Sequence, residues 1–264
     1  MDLQLTGKLA LVTGSTAGIG LAIAESLAAE GARVIVNGRT EARVSEASAQ
    51  IQAAHPHAQL QALALDLSTP EGATETTRRF PEVDILVNNL GVYEPKPFEE
   101  ITDEDWDAII ETNFMSGVRL SRHYLPRMRF KDWGRILFIS SESAVNVPIE
   151  MIHYGVTKTM QVALARGLAE TTSGTGVTVN SVLAGPTRSE GVEGFLKDMA
   201  RTKNVTTAKV EEDFFKSVRP SSLLQRFATT AEVASMVAYL SSPLAAATNG
   251  AAIRVEGGLL RSIL

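Results

Sequence analysis

The stretch Thr13-Gly14-Ser15-Thr16-Ala17-Gly18-Ile19-Gly20 decides the fold, because it places three glycines between a short apolar run and a segment rich in Ala and Leu. Glycines at such a junction permit a tight turn, let the backbone approach a pyrophosphate, and let the next helix pack close to its strand. An ordinary strand-to-helix turn is the alternative interpretation. The stretch predicts a dinucleotide-binding loop with contacts from Gly14, Ser15, Thr16, Gly18, Ile19 and Gly20.

Outward from this loop, short runs rich in Val, Ile and Leu alternate with longer helical patterns along the chain. The runs do not alternate apolar with polar residues, so each is expected to be a strand buried on both faces of a parallel sheet. The pattern predicts a doubly wound α/β fold with helices on both faces. The expected strands are residues 8–13, 33–36, 60–65, 84–87, 135–140, 177–183 and 252–255.

The composition suits one large domain, because 264 residues with 44% hydrophobic and 21% charged side chains can bury a substantial core. The formal net charge is -5 and no run of Lys and Arg is interleaved with aromatic residues, so neither nucleic acid nor a membrane is expected as a partner. The chain has no cysteine, which excludes disulfides and thiol catalysis. No basic leader precedes an apolar stretch, and no window approaches ~18 apolar residues, so a cytoplasmic location is expected.

One long segment, residues 185–222, lies between the last two expected strands. Its apolar residues recur at near-helical spacing, which predicts one or two short amphipathic helices able to close over a substrate. A packed excursion without a gating role is the alternative interpretation. The apolar residues are Phe195, Leu196, Met199, Phe214 and Phe215.

The segment after the second expected strand, Asn37-Gly38-Arg39-Thr40, has no carboxylate where an NAD-binding protein would place one against a ribose hydroxyl. Arg39 can instead offer several donors to a 2′-phosphate, and Gly38 is expected to leave room for it. NADP(H) is therefore favoured over NAD(H), although Arg39 could also simply end the strand in solvent. Ala17 weakens the case, because a second cation at that position would have reached the same phosphate.

Two further strand ends are expected to border the same cofactor. Asp66, followed by Leu67, comes after the third strand and could accept a hydrogen bond from an adenine amino group. A helix cap or a turn is the alternative role for Asp66. In Asn88-Asn89-Leu90-Gly91, at the end of the fourth strand, Asn88 is expected to pin the neighbouring glycine loop and Gly91 to leave backbone space for the cofactor.

Four polar residues carry the expected chemistry, namely Asn113, Ser141, Tyr154 and Lys158. A free phenol, with a pKa of about 10, is a poor acid and a poor base near neutral pH. If residues 154–172 are helical, Lys158 lies on the same face as Tyr154, and its ammonium is expected to lower the pKa of Tyr154. Ser141 is expected to polarise a substrate oxygen. The set predicts proton transfer coupled to hydride transfer at a carbonyl.

This ordered set, from the glycine loop through Asn-Asn-x-Gly to Tyr-x-x-x-Lys, resembles the classical branch of the short-chain dehydrogenase/reductase family over nearly the whole chain. The resemblance implies a Rossmann-type sheet in the order 3-2-1-4-5-6-7, with the nicotinamide at the carboxyl ends of the strands. It implies that Tyr154 is the acid/base, that Ser141 binds the substrate oxygen, and that Lys158 binds the cofactor ribose. It also implies that Asn113 holds a water for proton relay.

Two departures from the family pattern affect the nicotinamide end of the site. Leu90 replaces the usual Ala of Asn-Asn-Ala-Gly, so a larger side chain must be accommodated, and Ala184 replaces the usual Pro before Gly185. By resemblance, the Thr187 backbone and the Ser189 hydroxyl would anchor the nicotinamide carboxamide.

The substrate pocket is expected between Ser141, Tyr154 and the 185–222 segment. Packing or solvent exposure is the alternative for each candidate lining residue. These candidates are Glu142, Val147, Ile149, Met151, His153 and Arg188.

Two other clusters are given structural interpretations. The first cluster is a group of basic residues around the expected end of a helix. The first interpretation is that these residues interact favourably with the helix macrodipole, and the second is that they bind an acidic carrier protein. This group comprises Arg122, Arg127, Arg129, Lys131 and Arg135. His55 and His57 have no third ligand at useful spacing, so no metal site is expected.

The expected function is that of an NADP(H)-dependent oxidoreductase acting on a carbonyl or secondary alcohol, such as a 3-oxoacyl thioester, a small ketone or a sugar. An NAD-dependent alcohol dehydrogenase of the same family is the nearest alternative. A non-catalytic nucleotide-sensing protein is the rival from another class, although such a protein would be expected to have lost Tyr154 or Lys158.

Self-association is expected from two apolar surfaces. The helix after Tyr154 is apolar around much of its circumference, so it is expected to pack on the sheet and on a second subunit, as in family dimers and tetramers. The apolar tail, with Leu259, Leu260, Ile263 and Leu264, fits a second interface. The sequence predicts a homotetramer, with a dimer next.

Overall fold

The computed structural model describes residues 1–263, and Leu264, part of the tail expected at an interface, lies outside the described residues. The described chain contains seven strands that form one sheet and two short strands that form another. In chain order they are β1 (Leu9–Val12), β2 (Arg33–Gly38), β3 (Gln59–Ala64), β4 (Ile85–Asn88), β5 (Gly134–Ser141), β6 (Val177–Ala184), β7 (Thr187–Arg188), β8 (Ala228–Thr229) and β9 (Ala252–Val255).

The large sheet is parallel throughout and has the order β3-β2-β1-β4-β5-β6-β9. Since β9 is the seventh of these strands along the chain, the predicted order 3-2-1-4-5-6-7 is confirmed, as is the doubly wound α/β fold. The predicted bounds differ from the observed ones by no more than two residues. The strands β7 and β8 were not predicted, because two residues carry no readable periodicity.

Helices connect the strands and cover both faces of the sheet. They are α1 (Gly18–Ala29), α2 (Glu41–Ala54), α3 (Pro70–Arg79), α4 (Asp103–Ile110), α5 (Ser116–Phe130), α6 (Ile152–Glu170), α7 (Glu190–Lys203), α8 (Thr207–Ser217) and α9 (Thr230–Ser241). Single turns of 3-10 helix occur at Phe98–Glu100, Glu142–Ala144, Ile149–Met151 and Pro243–Ala245, and a π-helical turn occurs at Glu111–Met115.

The two faces of the sheet bury different side chains of the same strands. Successive residues of a strand point to opposite faces, so Ala10 and Val12 join one apolar cluster while Leu11 joins the other. Residues of α1, α2 and α9 complete the first cluster, and residues of α3, α5 and α6 complete the second. Burial on both faces explains why the strand sequences are continuously apolar. The carboxyl ends of all seven strands therefore meet at one edge, which carries the site.

The 185–222 segment contains the helices α7 and α8, each amphipathic. Phe214, Phe215 and Phe227 pack together with ring centroids 5.0 to 5.2 Å apart. Leu196 of α7 and Phe215 of α8 are each only 1% exposed, whereas Phe195 is 52% exposed. The excursion thus has a small apolar core of its own, separate from the two clusters on the sheet.

The basic group at the end of α5 contains fewer residues than the sequence predicted. Arg135 was wrongly included, because it lies in β5, is 1% exposed, and donates to the carbonyl oxygens of Gly134 and Gly176 at 2.8 and 2.9 Å. Burial lowers the pKa of the Arg135 guanidinium to about 10. At the helix end itself, Lys131 forms an ion pair with Glu82 at 2.6 Å. Within residues 1–263, none of the helices combines the length and the apolar character needed to cross a membrane.

Candidate active site

The glycine loop between β1 and α1 is fixed by the neighbouring strand β2. The side-chain oxygen of Asn37 accepts a hydrogen bond from Gly14 N at 3.0 Å, and its carbonyl accepts one from Ser15 N at 2.8 Å. The Asn37 side-chain nitrogen donates to the carbonyls of Leu63 and Leu65, both at 3.0 Å. In the sequence, Asn37 was noted only because it is not a carboxylate. In the structure it connects the ends of β1, β2 and β3 by hydrogen bonds.

Three glycines of the loop occupy places that a side chain would not fit easily. A Cβ on Gly20 would lie 2.3 Å from the Gly14 carbonyl oxygen, so α1 packs directly on the loop. Gly14 and Gly18 have φ angles of 61° and 56°, which L side chains rarely adopt. The start of α1 has no side-chain cap, and Ile19 and Gly20 of its first turn line the cleft. Uncapped N–H groups at a helix start suit an anionic phosphate.

Asn89, not Asn88, pins the glycine loop to β4. The Asn89 side-chain nitrogen donates to the carbonyls of Thr13 and Gly14 at 2.9 and 3.1 Å, and the Thr13 hydroxyl accepts from the backbone N–H of Asn89 at 2.9 Å. Asn88 is buried and donates instead to the Ser121 hydroxyl on α5 at 3.3 Å. The prediction for Asn88 was wrong because successive side chains of a strand point to opposite faces.

Arg39 is exposed at the end of β2, where the sequence predicts the 2′-phosphate of NADP. The space over Gly38 is not open, since a Cβ there would lie 2.4 Å from the Thr16 methyl carbon. The expectation that Gly38 leaves room for a phosphate was therefore wrong, because Gly38 lets the loop residue Thr16 pack on β2. One turn into α2, Arg43 forms an ion pair with Glu190 of α7 at 3.4 Å.

Asp66 and Leu67 follow β3 at the same edge. The Asp66 carboxylate accepts hydrogen bonds from the N–H and the hydroxyl of Ser68 at 3.0 and 2.7 Å, so it shapes a turn. Contact with adenine stays a prediction. Leu67 is 1% exposed and belongs to a core cluster, so only its backbone is available to a cofactor.

Asn113 lies in the π-helical turn that interrupts α4 and α5. Its side chain accepts from Val92 N at 2.7 Å and donates to Val92 O at 2.9 Å and to the Thr157 hydroxyl at 3.1 Å. The wider turn frees the Asn113 carbonyl, which accepts a hydrogen bond from the side-chain nitrogen of Gln161 at 2.6 Å. The relay water stays a prediction, since the structure places the Gln161 amide against the Asn113 carbonyl.

Lys158 is buried on α6, only 5% exposed, and is held by neutral acceptors. Its Nζ donates to the Ile139 carbonyl at 2.9 Å and to the Gln161 side-chain oxygen at 3.3 Å. Burial lowers the pKa of the Lys158 ammonium to about 8. A Cβ on Gly91 would lie 3.3 Å from this Nζ, so Gly91 gives room to Lys158 itself. The sequence reasoning did not predict a role for Gln161. Its position as a single amide side chain on a largely apolar helix could have indicated one.

Tyr154 faces Ser141 and Lys158 from the first turns of α6. Ser141 and Tyr154 line the same cleft, and the Lys158 Nζ lies 5.6 Å from the centre of the Tyr154 ring. The expected net lowering of the Tyr154 pKa was wrong. Burial raises the pKa of Tyr154 well above its ordinary value, the nearby Ser141 hydroxyl opposes this rise, and the charge of Glu142 adds to it. The desolvation of the phenolate outweighs the attraction of a lysine that points at carbonyl oxygens.

The cleft joins the glycine loop to the catalytic side chains. Its wall includes the loop residues Gly14, Ile19 and Gly20, the strand ends at Asn89 and Ser141, and the side chains of Tyr154 and Lys158. The structure thus brings together residues that are more than 140 positions apart in the chain.

Tyr93 is a wall residue that the sequence reasoning missed. Its ring lies edge-on to Tyr154 with the centroids 6.0 Å apart, and it is 56% exposed. A Cβ on Gly191 would lie 3.7 Å from the Tyr93 hydroxyl, so this side chain reaches from the catalytic tyrosine to the start of α7. The position of this aromatic residue, two places after Asn-Asn-x-Gly, could have indicated that it borders the site.

Most of the expected lining residues lie elsewhere. Val147 and Ile149 are 40% and 85% exposed, and His153 is buried with its ring 6.0 Å from that of Trp106. Arg188 forms ion pairs with Glu193 at 2.8 Å and with Glu211, and so holds α7 and α8 together. Met151, which ends a 3-10 turn, is half-buried, and Glu142 contacts Ser141 from behind the cleft. For Val147, Ile149, His153 and Arg188 the packing or solvent alternative describes the structure.

The two expected anchors of the nicotinamide carboxamide differ in position. Ser189 lines the cleft, caps α7, and places its Cβ 3.4 Å from where a Cβ on Gly18 would lie. Thr187 is 7% exposed, and its hydroxyl donates to the Gly185 carbonyl at 2.9 Å. Both anchoring roles stay predictions. Ser189 nevertheless joins the excursion to the glycine loop at the cleft wall.

Comparison with known proteins places this site in a family. Residues 8–200 match the family described as short chain dehydrogenase. The chain is 51% identical to an uncharacterized oxidoreductase, YvaG of Bacillus subtilis, over 100% of both chains. It is 34% identical to the D-beta-hydroxybutyrate dehydrogenase of Cupriavidus necator, over 97% of this chain and 98% of that one.

Solved structures agree. The L-sorbose reductase of Gluconobacter frateurii, complexed with NADPH and L-sorbose, superposes with a TM-score of 0.93 over 100% of both chains at 31% identity. Together with the strand order and the grouping of Ser141, Tyr154 and Lys158 beside the glycine loop, these likenesses identify the chain. It belongs to the short-chain dehydrogenase/reductase family and is an oxidoreductase that uses a nicotinamide cofactor.

Proposed function

We propose that the protein is an NADP(H)-dependent reductase of an uncharged ketone or sugar, with Tyr154 as the acid that protonates the carbonyl oxygen. The observation that carries the proposal is the cleft itself, in which Tyr154, Ser141 and Lys158 face the glycine loop. The cofactor, when bound, supplies the hydride. Tyr154 gives its proton to the oxygen, Ser141 orients that oxygen, and the buried Lys158 stabilises the negative charge left on the phenol.

The preference for NADP(H) rests on the end of β2. Residues 37–40 contain no carboxylate that would bind a ribose hydroxyl and repel a 2′-phosphate, and Arg39 is exposed at this edge. A guanidinium can bind a phosphate with two donors at once. The rest of the proposed cofactor site consists of the loop residues Gly14 to Gly20, Asp66, the Leu67 backbone, Gly91, Lys158, Thr187 and Ser189.

An uncharged substrate is favoured by the charges around the cleft. Arg219 pairs with Glu142 and Glu150, Arg188 pairs with Glu193 and Glu211, and Lys96 pairs with Asp105. These cations are therefore already neutralised. A substrate carboxylate or a phosphorylated acyl carrier would gain little attraction from them to offset its loss of hydration. An uncharged sugar, such as the L-sorbose bound by the Gluconobacter enzyme, loses less hydration on entering the cleft.

The experiment is a panel of carbonyl substrates followed by NADPH and NADH absorbance. It should contain a ketose, a simple ketone, a keto acid of matched carbon skeleton and a 3-oxoacyl thioester. We expect kcat/KM for the uncharged carbonyls to exceed that for the anionic ones by about tenfold or more, since leaving a charged group without a partner costs about 1 to 3 kcal/mol. A preference for the keto acid would contradict the substrate class.

Arg39→Ala tests the cofactor preference in the same assay. Loss of a charge-assisted bond should raise the Kd of NADPH about ten- to a hundredfold and leave that of NADH nearly unchanged. Arg78→Ala on α3, which removes an exposed guanidinium paired with Glu75, is the matched control. Equal effects on both cofactors would show that the phosphate does not bind at Arg39.

We also propose a homotetramer, with a dimer as the smaller alternative, in the cytoplasm. The outward side of α6 carries Val156, Met160, Ala163 and Gly167, which are half-buried or exposed in the single chain. An apolar stripe of this kind is typical of a subunit contact. At the tail, Leu259 is 2% exposed and Ile263 is 98% exposed, so Ile263 is the better candidate for a second contact. A monomer in light scattering at micromolar concentration would contradict this proposal.

A further inference from the structure

A buried amide side chain joins two residues of the site. Gln161 lies on α6, about one turn after Lys158, and is 1% exposed. Its side-chain nitrogen donates to the Asn113 carbonyl at 2.6 Å, and its side-chain oxygen accepts from the Lys158 Nζ at 3.3 Å. The two bonds form a bridge of protein atoms from the π-helical turn to the lysine.

The chemistry of the two neighbours explains why an amide suits this position. A backbone carbonyl can only accept a hydrogen bond, and a lysine ammonium can only donate one. A side chain between them must therefore donate at one end and accept at the other, as Gln161 does. The neighbours also determine which end of the amide faces which. An apolar side chain of similar length could fill the space but would satisfy neither neighbour.

The Lys158 ammonium has three N–H groups, and two of them are occupied. Within residues 1–263, Nζ donates to the Ile139 carbonyl of β5 at 2.9 Å and to Gln161. Because the ammonium is tetrahedral, two fixed bonds also fix the direction of the third N–H. Lys158 lines the cleft, and a Cβ on Gly91 would lie 3.3 Å from Nζ. The third N–H is thus left for a group in the cleft.

We propose that Gln161 is a positioning residue that holds the Lys158 ammonium and directs its third N–H into the cleft. The inference deepens the proposed function, since it rests on the role given there to Lys158 beside Tyr154. An amide neither gains nor loses a proton near neutral pH, so the bridge orients the ammonium without carrying protons away from it. Removal of the bridge should leave Lys158 in the site but make its positive charge less stable.

Burial makes the bond from Gln161 important for the charge of Lys158. Desolvation lowers the pKa of the ammonium to about 8, and within the described chain no charged group contributes to this lowering. The two acceptors therefore replace the water that an exposed ammonium would bind. Loss of one acceptor should lower the pKa further, because hydrogen bonds to the charged form favour that form.

Other charged and titratable groups on α6 and on the elements packed against it do not bond to Lys158. The ionic ones are mostly paired, namely Glu142 and Glu150 with Arg219, Glu111 with Arg119, Asp105 with Lys96, and Glu170 with Arg166. The other carboxylates of α4 are exposed, and β6 contains no charged residue. Arg135 lies near the opposite end of β5, where it donates to the carbonyls of Gly134 and Gly176.

The uncharged titratable neighbours lie toward the start of α6. The Tyr154 ring centre is 5.6 Å from the Lys158 Nζ, the Tyr93 ring packs edge-on to that of Tyr154, and His153 packs against Trp106. Since no carboxylate in the described residues bonds to the ammonium, a change in the pKa of Lys158 on substitution of Gln161 would report the amide bond.

The test is Gln161→Met, which keeps the length of the side chain and removes both bonds. The readout is the NMR resonance of the Lys158 Cε, followed over pH without substrate or cofactor and assigned by its absence in Lys158→Met. We expect the pKa of Lys158 to fall by about one unit. A pKa unchanged by Gln161→Met would overturn the inference even with the reductase activity intact.

Two variants separate this role from a structural one. Gln161→Glu keeps the shape and an acceptor oxygen for Nζ, so the pKa of Lys158 should stay or rise, and this variant serves if Gln161→Met does not fold. Asn180→Leu removes another buried amide, which bridges the Thr248 carbonyl and Ala251 N at 2.8 and 2.9 Å. It should lower stability and leave the pKa of Lys158 unchanged. A lower pKa in either variant would contradict the inference.

Turnover separates the inference from the proposed function. With the pKa of Lys158 one unit lower, kcat/KM of Gln161→Met for reduction should fall about twofold at about pH 7 and about tenfold at about pH 9. An equal loss at both pH values would be a structural effect and would contradict the inference. The predicted pKa shift without any carbonyl turnover by the parent protein would instead contradict the proposed function alone.

Discussion

The glycine loop and the 185–222 excursion meet at the cleft but are held by different forces. The loop is fixed by short bonds to backbone, such as those from Asn37 and Asn89 to Gly14, and by positions with no room for a Cβ. The excursion is held by ion pairs, such as Arg188 to Glu193, and by a cluster of three phenylalanines. A steric fit has one solution, whereas paired charges at a surface can be rearranged at small cost.

From this difference we expect the glycine loop to determine cofactor binding and the excursion to affect substrate binding. The loop is proposed to bind the cofactor, for which a rigid shape is an advantage. The excursion is proposed to border the substrate, so its charges are expected to affect what the cleft admits. Mutations in the loop should therefore cause large effects on cofactor binding, and mutations in the excursion should cause smaller effects on substrate binding.

The largest effect is expected from Gly20→Ala, which breaks the fit of the loop. The new Cβ would lie 2.3 Å from the Gly14 carbonyl, so α1 must move away from the loop. We expect the free energy of unfolding to fall by about 1 to 3 kcal/mol and the Kd of NADPH to rise about ten- to a hundredfold. Isothermal titration with NADPH, together with urea denaturation, measures both. A variant that binds NADPH as tightly as the parent would show that the loop is not rigid.

Lys158→Met compares the two ways in which cations are held in this site. Lys158 is buried and donates to neutral acceptors, whereas the cations of the excursion are paired with carboxylates. The pKa of Lys158 is lowered to about 8, so between about pH 8 and 10.5 the unfolded chain binds more protons than the folded one. Folding stability relative to the variant should therefore rise with pH across that window, by about 2 to 3 kcal/mol. Urea denaturation near both ends measures this, with exposed Lys203→Met as control. A difference independent of pH would contradict the burial argument.

Glu211→Gln tests the excursion itself. Glu211 accepts from Phe227 N at 3.0 Å and pairs with Arg188, so its loss should loosen α8 by about 1 to 2 kcal/mol. We expect faster proteolysis within 185–222 and a severalfold higher KM for the carbonyl, with NADPH affinity nearly unchanged. The neighbouring Glu212→Gln removes exposed pairs with Lys209 and Lys216 and should have little effect. Equal effects of the two substitutions would contradict the role of the Arg188–Glu211 pair.

The smallest effect is expected from Gly194→Ala, the counterpart of Gly20→Ala in the excursion. A Cβ on Gly194 meets nothing within 4 Å, and the residue lies inside α7. Alanine should therefore stabilise the helix by about 0.5 to 1 kcal/mol. Thermal denaturation would show a slightly higher midpoint. A lower midpoint would indicate a contact at this position that the single chain lacks.

Much of the fold could be predicted from the sequence, because its causes are local. Seven continuous apolar runs identified the strands of the sheet, and the spacing of Gly14, Gly18 and Gly20 identified the loop between β1 and α1. Tyr154 and Lys158 fell on one face of α6 because four residues make about one helical turn.

The contacts that tune the site could not be predicted, because they join residues distant in the chain. Gln161 reaches Asn113 across 48 positions, and Arg219 reaches Glu142 across 77. Neither pair follows from periodicity or propensity. The direction of the Tyr154 pKa was also missed, because desolvation depends on how deeply the folded chain buries the phenol.

The central claim is that Tyr154 is the acid of a hydride-transfer reaction in this cleft, and Tyr154→Phe tests it most directly. The assay uses the carbonyl that the panel identifies as most active, with NADPH binding measured in parallel. We predict that kcat/KM falls by about a hundredfold or more while the Kd of NADPH changes by less than about threefold. A Tyr154→Phe protein that reduces the same carbonyl at the parent rate would contradict the account.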